Sequence, residues 1–469
     1  MLGASISRSL SWMSLPPEIR LMILEAIAQQ KHPGWASFVS VCKEWQLLIE
    51  NQNFRRLKLQ APCLEDLESI FRQSRRRRRL IQHIWLDVEL PEYSWRSCKE
   101  IESYSWSRPN SKHWFKNFYF NSDNEDIEGA DLNCSSWHDT QHGWVDGQQI
   151  TTPPCSAVLR LFGDVDLWSK EDLPRVETVT TFAVRRQLRR RLPPYALWFL
   201  LRNLSGLERI IYEPWRRWER GWRVVNDRCF SQVVQDDLPQ SLKRVSVFED
   251  FSESLARSLQ AGQPVLLSWQ QQMEISRVVE PPIGAAFGAR SVDLEQLSVA
   301  YMVNAEDFFG SAARNSSWTW HHLKSLALTS QLLRDTPQNH KRIDNLLYQA
   351  GITAARMPKL QDFALWYGIK GEACAFIHRR HGGRASITWR GTWDMQLSPR
   401  VVEAWQCVAI ENHLCGTLQV GKQRVDSVIG SHGDAIHCLD LPCPVVAPAS
   451  LWQIRMEGAS TSQEDHRTS

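Results

Sequence analysis

One short apolar phrase recurs along this chain, and it restricts the available folds more than any other feature. It reads apolar, two variable residues, apolar, one variable residue, apolar. Leu207-x-x-Ile210-x-Tyr212, Leu242-x-x-Val245-x-Val247, Leu294-x-x-Leu297-x-Val299, Leu323-x-x-Leu326-x-Leu328 and Leu360-x-x-Phe363-x-Leu365 carry it. Val176-x-x-Val179 with Thr181 in the last slot reads as an earlier member, and Ile81-x-x-Ile84-x-Leu86 as the first. From Val176 onward the members are 31, 35, 52, 29 and 37 residues apart. The alternating end of the phrase has the period of a strand. One short strand per unit, with a helix and loops between strands, lets stacked units bury an apolar spine that no single unit could bury. Pro194–Leu201, Ile343–Ala350 and Phe251–Leu259 are the predicted connecting helices. Pro281-Pro282-Ile283-Gly284 reads as loop.

The chain begins differently. Pro16 and Pro17 suit the entry to a helix, where the missing N–H would be unpaired anyway. Ser14 is the candidate N-cap, and Glu18 suits the positive end of the helix dipole. Ile19, Ile23, Leu24 and Ile27, widened by Met22, predict one apolar face that stops at Pro33-Gly34. Phe38, Val41, Cys42, Trp45, Leu48 and Ile49 form a second such run, closed by Phe54 and Leu57. A block this small needs a neighbouring domain or a partner to cover it.

Leu15-Pro16-x-Glu18-Ile19, the pair Ile23-Leu24, and Val41-Cys42-Lys43-x-Trp45 followed by Ile49 together resemble the F-box. That module attaches proteins to the Skp adaptor of cullin-RING ubiquitin ligases. Without the resemblance the block reads as an amphipathic helical hairpin. The recurring phrase resembles an irregular leucine-rich-repeat solenoid, although the asparagine position of typical repeats is mostly absent. The alternative is a generic α/β or β-rich domain whose strands begin with an aliphatic residue. An F-box before degenerate repeats, Trp-rich and with long insertions, is similar to the layout of uncharacterised fungal F-box proteins. The expected fold class is therefore α+β or α/β, a small N-terminal helical F-box followed by an irregular leucine-rich-repeat-like solenoid.

The expected layout is a disordered N-terminus over 1–11, the F-box-like domain over 12–58, and the repeat-like domain over 59–410. Insertions at 91–154 and 249–290 break the repeats, and 157–161 reads as a short strand turning at Gly163. Near the end of the array, Ala385–Arg390 reads as a strand. Ser398 and Pro399 then read as N-cap and first position of a helix, and this pair would cap the array. Residues 411–457 form a C-terminal extension without a clear pattern, and 458–469 a disordered tail.

The resemblance implies that Leu15, Pro16, Ile19, Leu24, Val41, Cys42 and Trp45 bind the Skp adaptor, and through it a cullin and a RING subunit. A protein substrate would be held on the repeat domain, with Trp215, Arg216, Arg217, Trp218, Trp366 and Tyr367 as candidate anchors. Such a chain is not an enzyme; it raises the effective concentration of the substrate near a ubiquitin-loaded enzyme. The alternative is an F-box scaffold outside a ligase, or a nuclear interaction module using arginine clusters. Arg75, Arg76, Arg77, Arg78 and Arg79 form the first cluster, a possible nuclear signal or phosphate-binding patch, or else a solvated helix end. Arg185, Arg186, Arg189, Arg190 and Arg191 form the second.

Composition narrows the remaining classes. A net charge of +3 lacks a global nucleic-acid or membrane signature. No run approaches the roughly 18 apolar residues of a membrane span. Eleven Cys without a CxxC pair match neither a zinc array nor a disulfide framework, so the thiols are expected reduced and the protein intracellular, in cytoplasm or nucleus. No glycine-rich phosphate loop, HExxH or GxSxG is present, so no catalytic residue, cofactor or metal is expected. His321-His322 reads as a surface-and-core pair. Cys374, His378 and His381 lack a fourth ligand, and Asp164 and Asp166 read as turn caps.

Overall fold

The computed structural model describes residues 12–30, 34–72, 74–87, 162–165, 173–252, 280–381, 383–411 and 418–465, with short pieces at 140, 144–145, 148–149 and 255–256. The chain divides into two compact units, residues 1–91 and 92–469.

In the first unit a 3₁₀ turn over Trp12–Ser14 precedes α1 (Pro17–Gln29). Pro16 occupies the N-cap and Pro17 the first helical position, so Ser14 is not the cap. A 3₁₀ stretch over Trp35–Ser40 leads to α2 (Lys43–Arg55), which runs directly into β1 (Arg56–Gln60). Then α3 (Leu64–Arg72) and α4 (Arg75–Leu80) carry the chain to β2 (His83–Asp87). β1 and β2 pair in parallel, with Leu57 opposite Ile84 and Leu59 opposite Leu86. A parallel pair needs a crossover, which α3 and α4 provide. Ile84 and Leu86, expected to start the repeat array, thus belong to this separate sheet and are exposed. The expected boundary at residue 58 falls inside β1. Leu24, Ile49, Leu59 and Phe71 are buried, and Phe54 meets Phe71 edge-on at 5.1 Å.

In the second unit, β3 (Trp144–Val145) and β4 (Gln148–Gln149) form a small antiparallel pair. Most of the 91–154 insertion, and the expected strand at 157–161, lie outside the described residues. Among the described residues the main sheet has nine strands in chain order. They are β5 (Thr181–Val184), β6 (Arg209–Tyr212), β7 (Arg244–Phe248), β8 (Gln296–Ala300), β9 (Ser325–Thr329), β10 (Asp362–Ile369), β11 (Glu372–His381), β12 (Arg384–Gly391) and β13 (Gln419–Arg424). β5 through β10 are mutually parallel, β10–β11–β12 are antiparallel, and β13 is parallel to β12.

The recurring phrase is the register of this sheet. Ile210, Val245, Leu297, Leu326 and Phe363 stand opposite one another in sequence, and Tyr212, Val247, Val299, Leu328 and Leu365 do the same two residues on. Period two puts both rows on one face. The leading Leu207, Leu242, Leu294 and Leu360 each close a tight turn, donating the backbone N–H to the carbonyl three residues earlier. All four are at most 1% exposed. The first member is out of frame: Phe182 opposes Ile210 and Val184 opposes Tyr212. The phrase therefore starts at Val179, three residues after the expected Val176.

Helices α5 (Pro194–Leu201), α6 (Arg220–Gln232), α7 (Pro281–Arg290), α8 (Ala305–Arg314), α9 (Pro337–Ala354) and α10 (Pro399–Glu411) connect the strands. All six contribute to one apolar cluster with both rows of the phrase, so they share a face of the sheet. Pro281–Gly284, read as loop, is the first turn of α7, and Ile283 is fully buried there. Prolines in a first turn cost little, and the apolar face of Ile283 and Phe287 drives the helix onto the sheet. α10 begins at Pro399 as expected, but the Ser398 hydroxyl is buried without a partner, so it does not cap the helix. Of the predicted helix over Phe251–Leu259, residues 255–256 are helical and 257–259 lie outside the described residues.

The opposite face carries a second apolar cluster. It is built from Ala300, Ala327, Ala364, Ala373, Ala375, Tyr301, Trp366 and Ile377, together with α11 (His432–Leu439) and α12 (Pro448–Asp465). The C-terminal extension, patternless in the sequence, is thus a folded cover for this face. The expected disordered tail is helical as far as Asp465. Small residues on the strands permit the close approach. A Cβ on Gly368 would collide with that of Ala435 on α11. The architecture is a mixed α+β fold, with a helical N-terminal unit and a large sheet of mixed topology.

Candidate functional site

The F-box-like residues divide between the inside and the outside of the first unit. Leu24 is 2% exposed. Trp45 is half-buried between Trp12, 5.7 Å away, and Phe38, 5.5 Å away. Arg20 reaches Glu44 on α2 at 3.3 Å, and Trp12 Nε1 donates to the same carboxylate. These contacts turn the Arg20–Leu24 side of α1 inward. The side bearing Ile19, Met22 and Ile23 is left in solvent, at 43, 64 and 37% exposure. The expected single stripe of Ile19, Ile23, Leu24 and Ile27 is therefore split. Val41 is 59% exposed, and Pro16 is also exposed. Cys42 and Leu15 are half-buried, with Cys42 at the N-cap of α2 in extended backbone.

The arginine run is folded. Ser74 caps α4 by accepting from the Arg77 N–H. Arg76 and Arg77 clamp Glu50 at 2.9 and 2.8 Å, and Arg78 donates to the carbonyl oxygen of Phe71. Burial pushes the Glu50 carboxyl up, but hydrogen bonds from Gln46 and Arg77 and the two cationic charges outweigh it and hold it below the usual range.

Four of the six candidate substrate anchors are buried, and Arg217 and Tyr367 are half-buried. Trp215 and Trp218 are 2 and 3% exposed and both meet the Phe162 ring at 5.0 Å. Trp215 donates to the Arg186 carbonyl at 2.7 Å, with the Arg186 guanidinium stacked over its ring. Arg216 is buried against Glu249 at 3.0 Å, and Arg217 pairs with Asp164. Trp366 is fully buried beside Tyr301, and Tyr367 is half-buried. None of the six is exposed. Asp164, read as a turn cap, is instead an ion-pair partner of Arg191 and Arg217. Asp166 lies outside the described residues.

These residues belong to a polar cluster at the carboxyl ends of the parallel strands. Arg186 follows β5, Glu213 follows β6, Glu249 and Asp250 follow β7, and Tyr301 follows β8 with φ 63°. Arg186 binds Asp250, Gln453 and Glu457; Arg189 binds Glu457. His432 Nε2 lies 2.9 Å from Asp250 Oδ1. Glu213 accepts from Ser450 Oγ and the Ala447 N–H. Burial alone would raise the Asp250 carboxyl, yet Arg186 and His432 hold it well below its ordinary value. Burial also works against the charge on Arg186, and Asp250 and Glu457 overcome it, keeping Arg186 protonated. Asp250 has no exposure at all, so the Asp250–His432 pair ties the C-terminal cover to the sheet and is closed to a substrate. Ser450, Gln453 and Glu457 carried no signal of this in the sequence, because their partners are more than 230 residues upstream.

His321 and His322 are both exposed, not a surface-and-core pair. Cys374 and His378 face the helix layer, where Cys374 donates to the Leu333 carbonyl and His378 lies against Trp405; His381 is exposed. Cys42, Cys63, Cys229, Cys374, Cys407, Cys438 and Cys443 are free thiols. Among the described residues no helix is long and apolar enough to cross a membrane, and no His, Cys, Asp and Glu cluster has the arrangement of a metal site.

Residues 237–447, from the turn before β7 to the loop before α12, match a family of unknown function, DUF6546. No curated protein and no solved structure matches the chain.

Proposed function

We propose that the protein is a substrate-recognition adaptor of an SCF-type E3 ubiquitin ligase. The N-terminal unit would bind the Skp adaptor, and the large unit would hold a protein substrate. The observation that carries this reading is the exposure of Ile19, Met22, Ile23 and Val41 within the F-box-like block, while Leu24 and Ile49 form its core. A small unit with its own core and exposed large aliphatics suits a groove on a partner. The parallel strands β5–β10, in chain order with all connecting helices on one face, support a leucine-rich-repeat-like reading of the large unit. The antiparallel β10–β12 segment departs from a uniform repeat. The chain would perform no bond chemistry; it would supply proximity. The reading places it in the cytoplasm or nucleus.

The test is association with the purified Skp adaptor, followed by recovery of a cullin and the RING subunit from that complex. Stable binding lost on Pro16 and Ile19 substitution is expected. A folded protein that fails to bind the Skp adaptor would overturn the reading. Binding without a cullin would favour a scaffold outside the ligase.

A further inference from the structure

The second face of the sheet changes character at its far edge. Under α11 and α12 it is apolar, but beyond Ile377 it becomes polar and opens into a cavity of about 350 Å³. Strand pairing sets its lining. Arg379, Ser386 and Gln419 stand opposite one another across β11, β12 and β13. Thr388 and then Arg390, opposite Gln423, follow at two-residue steps. Two guanidinium groups, two hydroxyls and two carboxamides therefore converge on one concavity, and of these Gln423 Oε1 already accepts from Arg390 Nη1 at 3.2 Å. Among the described residues no hydrogen bond engages the side chains of Ser386, Thr388 or Gln419, and the Arg390 Nε is buried without a partner. A buried donor left unsatisfied is costly, and an acceptor entering the cavity would relieve that cost.

The charge balance also points to an anion. The acid that holds both arginines is Asp440, at the C-terminal end of α11. Its carbonyl accepts from Arg379 at 2.9 Å and its Oδ2 accepts from Arg390 at 3.4 Å. Asp440 is a weak tenant. Its side chain is 67% exposed, so its pairing with Arg390 is open to competition from solvent and from a ligand. A ligand with more negative charge and more acceptor oxygens can displace it. Two oxygens of a carboxylate would leave several of these donors unused. A phosphoryl group offers three terminal oxygens and close to two charges, matching two arginines with added hydroxyl and amide donors. A cavity of this volume also leaves room for the group that carries the phosphate.

We propose that this cavity binds a phosphomonoester, with Arg379 and Arg390 as charge partners, Ser386, Thr388 and Gln419 as neutral donors, and the exposed Asp440 carboxylate, outside the lining, as the competing acceptor that the ligand displaces from Arg390. The ester is either a free small molecule or a phosphorylated side chain of a polypeptide. Calorimetric titration of the full chain with inorganic phosphate, O-phosphoserine, and a phosphoserine peptide beside its unphosphorylated counterpart separates these sources. A peptide that binds more tightly than O-phosphoserine identifies the polypeptide. Equal affinities identify the free ester. In either case Arg390→Gln is expected to weaken binding at least about tenfold, and Asp440→Asn to tighten it about three- to tenfold. Arg379→Gln, at a side chain 45% exposed, is the second variant should Arg390→Gln fail to fold. Absence of binding by all phosphate probes to both the wild type and Asp440→Asn overturns the proposal. So does binding that survives either arginine substitution in a folded protein.

Discussion

Arg186 donates from Nη2 to Glu457 Oε2 at 2.7 Å, and the two residues are 271 positions apart. One follows the first strand of the main sheet; the other lies in its last helix. The same guanidinium also binds Asp250, fully buried, so the pairing of first strand and last helix runs through a charge that water does not reach. Truncating Arg186 to Met should cost about 3–5 kcal/mol, because Asp250 would keep its charge with fewer partners. Glu457→Gln, at a carboxylate one-third exposed, should cost only about 1 kcal/mol. Urea unfolding followed by circular dichroism checks both. A loss below about 1 kcal/mol for Arg186→Met would show that the apolar cover alone holds α12.

His378 sets an acid limit on the same unit. It is 1% exposed, packs 5.1 Å from Trp405, and neither ring nitrogen has a hydrogen-bond partner. Burial, with a smaller contribution from the Arg380 charge, lowers its pKa to about 4 from 6.5. The unfolded chain therefore binds more protons between those values. Stability is full above about pH 6.5 and falls by about 3 kcal/mol as the pH drops to about 4. Asp250 loses its own contribution only below its ordinary value of 3.8, so the two windows separate. His378→Phe should flatten the slope between pH 4 and 6.5. Chemical unfolding across that range would reveal an unchanged slope if another group were responsible.

Gly368 limits how closely α11 can sit on β10. Adding a Cβ there drives it into Ala435, whose own side chain is fully buried. Gly368→Ala should destabilise by about 1–3 kcal/mol, since a packed layer cannot absorb a methyl without shifting. Pairing it with Ala435→Gly should recover most of the loss. A double variant no more stable than Gly368→Ala would place the cost in the backbone of β10.

The N-terminal unit offers a separation of folding from docking. Leu24→Ala should cost about 2–5 kcal/mol, the usual range for a buried aliphatic. Ile19→Asp and Val41→Asp lie at exposed positions and should change stability by less than about 0.5 kcal/mol. On the adaptor reading, each aspartate should weaken the Skp complex by at least about tenfold. Equal affinity of these variants and the wild type, measured by calorimetry, would count against that surface as the docking face.

Much of the large sheet was legible because its register is a local pattern repeated. Ile210 and Tyr212 predict a strand face from spacing alone; the tight turn that Leu207 closes came only with the structure. The first unit of the array was misplaced by three residues because Val176 and Val179 fit the same spacing as Val179 and Phe182. Pro281-Pro282 looked like loop because prolines begin helices as readily as they end them. Ile19 and Leu24 both fit the apolar stripe of α1, and spacing could not say which would face α2.

What the sequence by itself determined is local: which segments become strands, and which alternate residues face the helix layer. These follow from period-two burial, which needs no knowledge of distant chain. The tertiary structure alone decided which charged and aromatic residues are inside. Trp366 reads as a surface anchor until α11 and α12 cover the second face, Trp215 until Phe162 and Arg186 pack on its ring, and Arg216 until Glu249 and Phe251 enclose it. Arg186 read as part of a basic patch until Asp250 and Glu457 enclose it. Burial of these groups depends on contacts across hundreds of residues, and such pairings leave no periodic trace in either partner's neighbourhood.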